Sequence, residues 1–271
     1  MKIKFFCPIW GSENMDIKSF FAKVKDSGYD GVEMGLPIET ERKEEVLALI
    51  KQFELQLIAQ HWETLTADYE AHKKEYRHRL ENLATGNPLF INTQTGKDFF
   101  TYEQNAGLIQ IADEVSSEYG VKIIHETHRG KFSFAAHITS QFLKKIPGLR
   151  LGLDISHWCN VAESWLDDQS EALSMALLRA DHIHARVGFP EGPQIPDPRA
   201  PEWKEALDKH LGWWNQVIDQ RRKDGWTEFT ITPEFGPYPY MTILPFNKQP
   251  IADQWDVNLF MMQFLKSAFN E

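Results

Sequence analysis

The chain has 271 residues, 42% hydrophobic and 25% charged, an ordinary globular composition with enough length to bury a sizeable core. Its formal net charge of −10 repels phosphate backbones and no basic patch offsets it, so nucleic acid is not an expected partner. Two cysteines, Cys7 and Cys159, cannot build a disulfide framework, and no zinc-ribbon spacing occurs. No window reaches the ~18 apolar residues of a membrane span, and the opening MKIKFFCPIWG is too short an apolar run for a leader. A cytoplasmic protein with no membrane partner is expected.

In chain order, short β-like runs alternate with longer amphipathic ones. IKFFCP (3–8) precedes a helical pattern over 16–29, GVEMGL (31–36) one over 39–53, QLIAQH (56–61) one over 68–84, and PLFINT (88–93) one over 102–120. VKIIHE (121–126) precedes 133–146, LRLGLD (149–154) precedes 170–180, DHIHAR (181–186) precedes 202–225, and FTITPE (229–234) precedes 253–269. In the helical stretches apolar residues recur at three and four, as in Leu108, Ile111, Ala112 and Val115. Eight β-then-α units predict one (β/α)8 TIM barrel over 1–271, with no linker dividing it. A doubly wound open sheet is the alternative, but no Gly-rich phosphate turn is present. The Pro-rich stretch GFPEGPQIPDPRAPEW (188–203) follows the seventh strand and is expected as a lid over the C-terminal face. The aromatic run LGWWNQV (211–217) leaves a homo-oligomer open, although a helix packed on the barrel would read the same.

In such a barrel the C-terminal strand ends converge on one mouth. Strand five ends in Glu126, strand six in Asp154 with His157 beyond it, strand seven carries His182 and His184 on one face, and strand eight ends in Glu234. Glu126, Asp154, His184 and Glu234 together carry a formal −3, which a divalent cation would offset. This oxygen-rich set suits manganese, magnesium or cobalt at least as well as zinc. Each residue also has an ordinary reading: Asp154 as a helix N-cap, His157 as a loop residue, His182 as a packed histidine, Glu234 as a strand end in water. Four coincident strand ends favour a site.

These residues carry a resemblance. SGYDGVEMGLP, HETHRG, LGLDISHW, DHIHARVG and TPEFG resemble, in order, the second, fifth, sixth, seventh and eighth strands of the xylose isomerase-like TIM-barrel superfamily. That group includes sugar and sugar phosphate isomerases and epimerases, endonuclease IV, inosose dehydratase and hydroxypyruvate isomerase. The resemblance implies that Glu126, Asp154, His184 and Glu234 are the metal ligands of a ketose 3-epimerase-like site and that His157 meets the substrate. Two departures stand out: Phe132 replaces a second glutamate, and Pro190 replaces an arginine, the nearest being Arg186. INTQTG lacks the strand-four histidine of endonuclease IV, while His61 matches one of that enzyme's extra ligands or is a hydrogen-bonding residue at the mouth.

The expected chemistry is proton abstraction beside a carbonyl through an enediolate, with Glu126 and Glu234 as the catalytic pair and one divalent ion (Mn, Mg, Co or Zn) as Lewis acid. His157, Arg186, His61 and Gln94 are the expected polar contacts to a small sugar or sugar phosphate, with Trp10 and Trp62 stacking on it. Glu33 is a further candidate, or a brace for the barrel rim. The competing functions are an inosose-type dehydratase, an endonuclease IV-like phosphodiester hydrolase and a sugar-binding barrel without turnover.

Overall fold

The computed structural model describes residues 1–269. Its strands are β1 (Lys2–Pro8), β2 (Gly31–Met34), β3 (Gln56–His61), β4 (Ile91–Thr93), β5 (Ile123–Glu126), β6 (Leu151–Leu153), β7 (Ala180–His184) and β8 (Glu228–Thr232). Each pairs in parallel with the next, and β8 returns to β1, so the sheet is a closed eight-stranded barrel. All eight expected strands are present. The largest offset in a starting residue is at β4, which begins beyond Pro88, a residue with no N–H to give a ladder.

The helices are α1 (Ile17–Asp26), α2 (Thr40–Gln52), α3 (Tyr69–Ala84), α4 (Tyr102–Tyr119), α5 (Ala136–Lys145), α6 (Ser156–Ala162), α7 (Ser170–Leu177), α8 (Lys204–Lys223) and α9 (Gln254–Phe269). Polar caps start several of them. Asp16 accepts from the Ser19 N–H (2.9 Å) at α1, and Thr101 and Gln104 form a reciprocal capping box at α4. The helix not expected from periodicity is α6, too short for an amphipathic repeat to register. Asp154 starts it by accepting from the Ser156 N–H (2.9 Å), and Glu163 ends it in the left-handed region at φ 49°.

Alternation along each strand separates two interiors. Outward residues such as Phe5, Val32, Leu57, Ile183 and Ile231 join the helices in one continuous apolar layer. Inward residues divide by height: Phe6, Ile58, Phe90 and Ile124 form a small separate apolar cluster, while Glu33, Gln60, Asn92, Glu126, His182, His184 and Thr232 are buried polar groups. The polar set belongs to the C-terminal half of the strands, where the mouth opens.

This packing bears on two of the sequence expectations. Residues 188–203 are anchored at the C-terminal face: Ile195 is fully buried with its N–H on the Val187 carbonyl (2.9 Å), and Gln194 exchanges two hydrogen bonds with the Gly236 backbone. Clamped at the rim, the segment contributes nothing to the lining of the central cavity. Trp213 and Trp214, from the aromatic run that left a subunit contact and a packed helix both open, are buried in α8 against the barrel layer. The apolar period of α8 explains them without a second subunit.

Candidate active site

A cavity of about 1000 Å3 opens at the C-terminal mouth. Its floor is built from Glu126 at the end of β5, Glu234 just past β8, Gln60 from β3, Gln94 just past β4, and Arg186 and His128 from the loops after β7 and β5. One carboxylate oxygen of Glu126, one of Glu234 and a ring nitrogen of His184 lie within 4.8 Å of one another. The glutamates therefore do embrace a common point, although their strands are not neighbours in the barrel.

A glutamine amide holds one oxygen of each glutamate. Gln94 Nε2 donates to Glu126 Oε1 (3.1 Å) and Gln60 Nε2 donates to Glu234 Oε1 (3.2 Å). Glu126 Oε2 is buried with no hydrogen-bond partner among the described residues. His184 Nδ1 lies 2.9 Å from Glu234 Oε2, an ion pair across the site. A buried carboxylate oxygen left without a partner is costly, and this one belongs to a glutamate that converges with His184 and Glu234 on one centre. That is the observation by which the donor set fits a divalent cation.

The histidine is oriented from below. His184 Nε2 donates to Glu33 Oε1 (2.9 Å), and Glu33 is itself held by Asn92 Nδ2 (2.9 Å), by His182 Nε2 (3.2 Å) and by the Thr232 hydroxyl (2.5 Å). A carboxylate behind a histidine directs the other ring nitrogen, Nδ1, towards the mouth. Burial presses the His184 imidazole towards neutrality, but Glu234, Glu33 and Glu126 outweigh it and hold its pKa well above the usual range. Glu33 is thus a support beneath the floor rather than a substrate contact, and His182 is a packed histidine whose Nδ1 meets the Thr230 hydroxyl (2.7 Å).

The glutamates differ electrostatically. Burial, reinforced by the nearby Glu234 and Asp154 against the opposing pull of His184, raises the Glu126 carboxyl to about 8. Burial acts on Glu234 too, but His184 and Arg186 outweigh it and lower its pKa. Divergent carboxyls in one pocket can divide acid and base roles. Proton uptake by crowded carboxylates is also what a bound cation relieves.

The other expected site residues divide. Asp154 stands outside the three-residue cluster: Oδ1 accepts from the Ser156 N–H and hydroxyl, and Oδ2 accepts from the Arg186 guanidinium (2.5 Å). Its placement joins the helix-starting role to an ion pair instead of a direct place around the centre. Arg186 lies over the Tyr240 ring (4.7 Å to the centroid), lines the cavity, and also reaches His157 Nε2 (2.5 Å). His157 does not line the cavity; its ring lies 4.0 Å from that of His128 between centroids, and one ring nitrogen lies within 4.8 Å of a Glu126 oxygen and a His128 nitrogen. His61 is turned away as well, with one ring nitrogen on the Thr93 hydroxyl (2.9 Å) and the other on that of Thr64 (2.8 Å). Gln94, Trp10 and Trp62 do line the cavity. Gly236 makes room for Trp10, since a Cβ there would collide with the indole ring.

Sequence reasoning missed His128, Gln60 and Tyr240. His128 lies two residues beyond Glu126, and Gln60 is one residue before the strand end on the inward face of β3, so the period of two could have found both. Tyr240 sits in the irregular loop between β8 and α9, where no period applies. His128 Nδ1 donates to the Arg129 carbonyl (2.6 Å), and burial, then Arg186, holds its pKa well below the usual range. A neutral ring is left with Nε2 as an acceptor.

The fold and mouth geometry can be set beside known proteins. No protein-family model matches the chain, and no curated protein matches it in sequence. Solved structures do match: the 3-keto-D-glucoside 4-epimerase of E. coli is similar at 16% identity and a TM-score of 0.65, over 98% of this chain and 100% of that one. A probable 3-DHS dehydratase of Bacillus anthracis is similar at 18% identity and 0.62, over 98% and 99%. A sugar phosphate isomerase/epimerase from Parabacteroides distasonis is similar at 14% identity and 0.62, over 98% of each chain. The structural neighbours are thus xylose isomerase-like barrels of the sugar phosphate isomerase/epimerase type, as the strand motifs indicated, and the shared property is the fold. No helix among the described residues is long and apolar enough to cross a membrane.

Proposed function

We propose that the barrel is a divalent-metal-dependent sugar isomerase or epimerase that moves a proton next to a carbonyl. The observation that carries this reading is the pair of buried glutamates, each tethered at one oxygen by a glutamine amide and converging on His184 Nδ1. The epimerases and isomerases among the structural neighbours support it. Glu126, His184 and Glu234 would hold a manganese, magnesium, cobalt or zinc ion supplying Lewis acidity to the carbonyl and charge stabilisation to the enediolate. Asp154 joins that set only if Arg186 releases its Oδ2.

The chain's own groups do the rest. Glu234, the more acidic carboxyl, removes the proton, and Glu126 returns one from the other side of the sugar carbon, which inverts it. Return by the same carboxyl to the adjacent carbon gives an aldose–ketose exchange instead. His128 and Arg186 line the cavity, where they orient substrate hydroxyls, and the Trp10 and Trp62 rings cover the apolar face of the sugar.

The test is a panel of ketoses, aldoses, their phosphates and ring ketones in deuterated water with each metal, scored by hydrogen exchange at the α-carbon. Exchange that requires metal and is lost on chelation supports the proposal; no exchange across the panel in metal-loaded protein defeats it. Product analysis on the same samples separates inversion, isomerisation and loss of water.

A further inference from the structure

Three carboxylates reach the mouth from the ends of β5, β6 and β8, and the structure treats them unequally. Glu126 and Glu234 each bring an oxygen to within 4.8 Å of a His184 nitrogen and of one another, and among the described residues no oxygen of Asp154 joins that group. Asp154 has other partners on both oxygens. Its Oδ1 accepts from the Ser156 N–H (2.9 Å) and hydroxyl (2.5 Å), and its Oδ2 accepts from Arg186 Nη2 (2.5 Å).

The guanidinium is fixed just as firmly. Arg186 is 1% exposed, its Nε donates to the Ser156 hydroxyl (3.1 Å), Nη2 also meets His157 Nε2 (2.5 Å), and the Tyr240 ring centroid lies 4.7 Å from its central carbon. Ser156 thus ties both members of the pair together. The other carboxylate near Arg186 is that of Glu234, 3.9 Å from Nη1, and it already belongs to the cluster. Were Asp154 to turn to an ion, the buried guanidinium would lose its closest counter-charge, and breaking a buried pair from one side is strongly destabilising. Charge balance agrees: with Asp154 paired to Arg186, Glu126 and Glu234 supply the two negative charges that offset a divalent cation.

We infer that Asp154 is the fixed counterion of Arg186 and not a metal ligand, so that the ion is held by Glu126, His184 and Glu234 alone and the Arg186 guanidinium stays beside it as a permanent second positive charge. This rests on the proposed ion and departs from the four-residue set that the strand motifs imply. Three side-chain ligands leave one more position open to substrate oxygens than four do. Arg186 lines the cavity, so its charge reaches the negative charge developing on the substrate without having to move.

Two measurements that do not depend on turnover test this. A crystal structure of the manganese-loaded protein is expected to show three side-chain ligands, with Asp154 Oδ2 still on Arg186. Calorimetric titration with manganese then compares variants. Arg186→Gln frees Asp154 and removes a repelling charge, so it is expected to bind manganese about tenfold more tightly than the wild type. Adding Asp154→Asn to Arg186→Gln removes the freed carboxylate and is expected to bring affinity back to within about threefold of the wild type. Arg186→Lys keeps the charge and is expected to stay within about threefold as well, which separates lost charge from a disturbed fold. An Asp154 oxygen bound to the ion in the wild-type structure, or Arg186→Gln binding no more tightly, overturns the inference and leaves the proposed ion. Wild-type protein that takes up no manganese, magnesium, cobalt or zinc removes the ion and the inference together.

Discussion

The inner and outer faces of β7 are one residue apart and obey different rules. Ile183 points outward into the helix layer, fully buried among apolar side chains. His182 and His184 point inward, equally buried, and each has a nitrogen on Glu33. Burial alone therefore does not distinguish a structural position from a functional one. What distinguishes them is whether the buried atoms are satisfied: Ile183 needs only contact, whereas His184 Nδ1 is met only by the Glu234 carboxylate and Glu126 Oε2 beside them is left without a partner, in a residue that lines the cavity.

The contrast can be broken most sharply at Glu234. Glu234→Gln keeps the shape and removes the base, so α-hydrogen exchange should fall by roughly 10²–10⁴-fold while the thermal midpoint moves little. If exchange survives, the inner face is structural after all. Ile183→Ala should do the opposite, costing about 2–5 kcal/mol in a denaturant titration while leaving exchange per folded molecule intact. A large loss of turnover there would merge the two faces.

A third comparison uses pH and the outer layer. His210, in α8, donates from Nδ1 to the Ala206 carbonyl (2.9 Å) and accepts from the Gly188 N–H at Nε2 (3.3 Å), so only its neutral ring serves both bonds. Burial lowers its pKa to about 4, against about 6.5 in an unfolded chain. Between those values the unfolded state binds more protons, so His210's contribution is present above pH 6.5 and drains away as pH falls towards 4. On the order of 3 kcal/mol is the ceiling for that loss. His210→Gln should flatten the stability profile over this window, measured by urea unfolding at pH 7 and pH 4.5; an unchanged slope would show that another group sets it. The smallest effect belongs to the helix surface: Thr101→Ala opens the α4 capping box and should cost about 1 kcal/mol with no change in exchange.

Much of this architecture was legible along the chain. Continuous apolar runs such as IKFFCP carry strands buried on both faces, and the period of two sorted His182 and His184 from Ile183 without coordinates. The glutamates were legible too, as acidic residues at the ends of otherwise apolar strands. Side-chain partnerships were not. Asp154 and His157 stand three apart in a motif that invites a shared role at the centre, yet Arg186 engages both. His61 lies at a strand end like the glutamates, but two threonine hydroxyls take its ring. The Pro-rich 188–203 segment has the composition of a loop, and composition does not say which way a loop folds.

By itself, the sequence determined the order of strands and helices, the closure they permit and the strand ends that carry acid and imidazole, because these follow from local periodicity and the alternation of side chains. Tertiary structure alone decided which of those groups face one point, which are neutralised by a neighbour, and how far the cavity runs past them. Those outcomes depend on ångström-scale distances between residues up to two hundred positions apart, such as Glu33 and Thr232, and no local pattern encodes them.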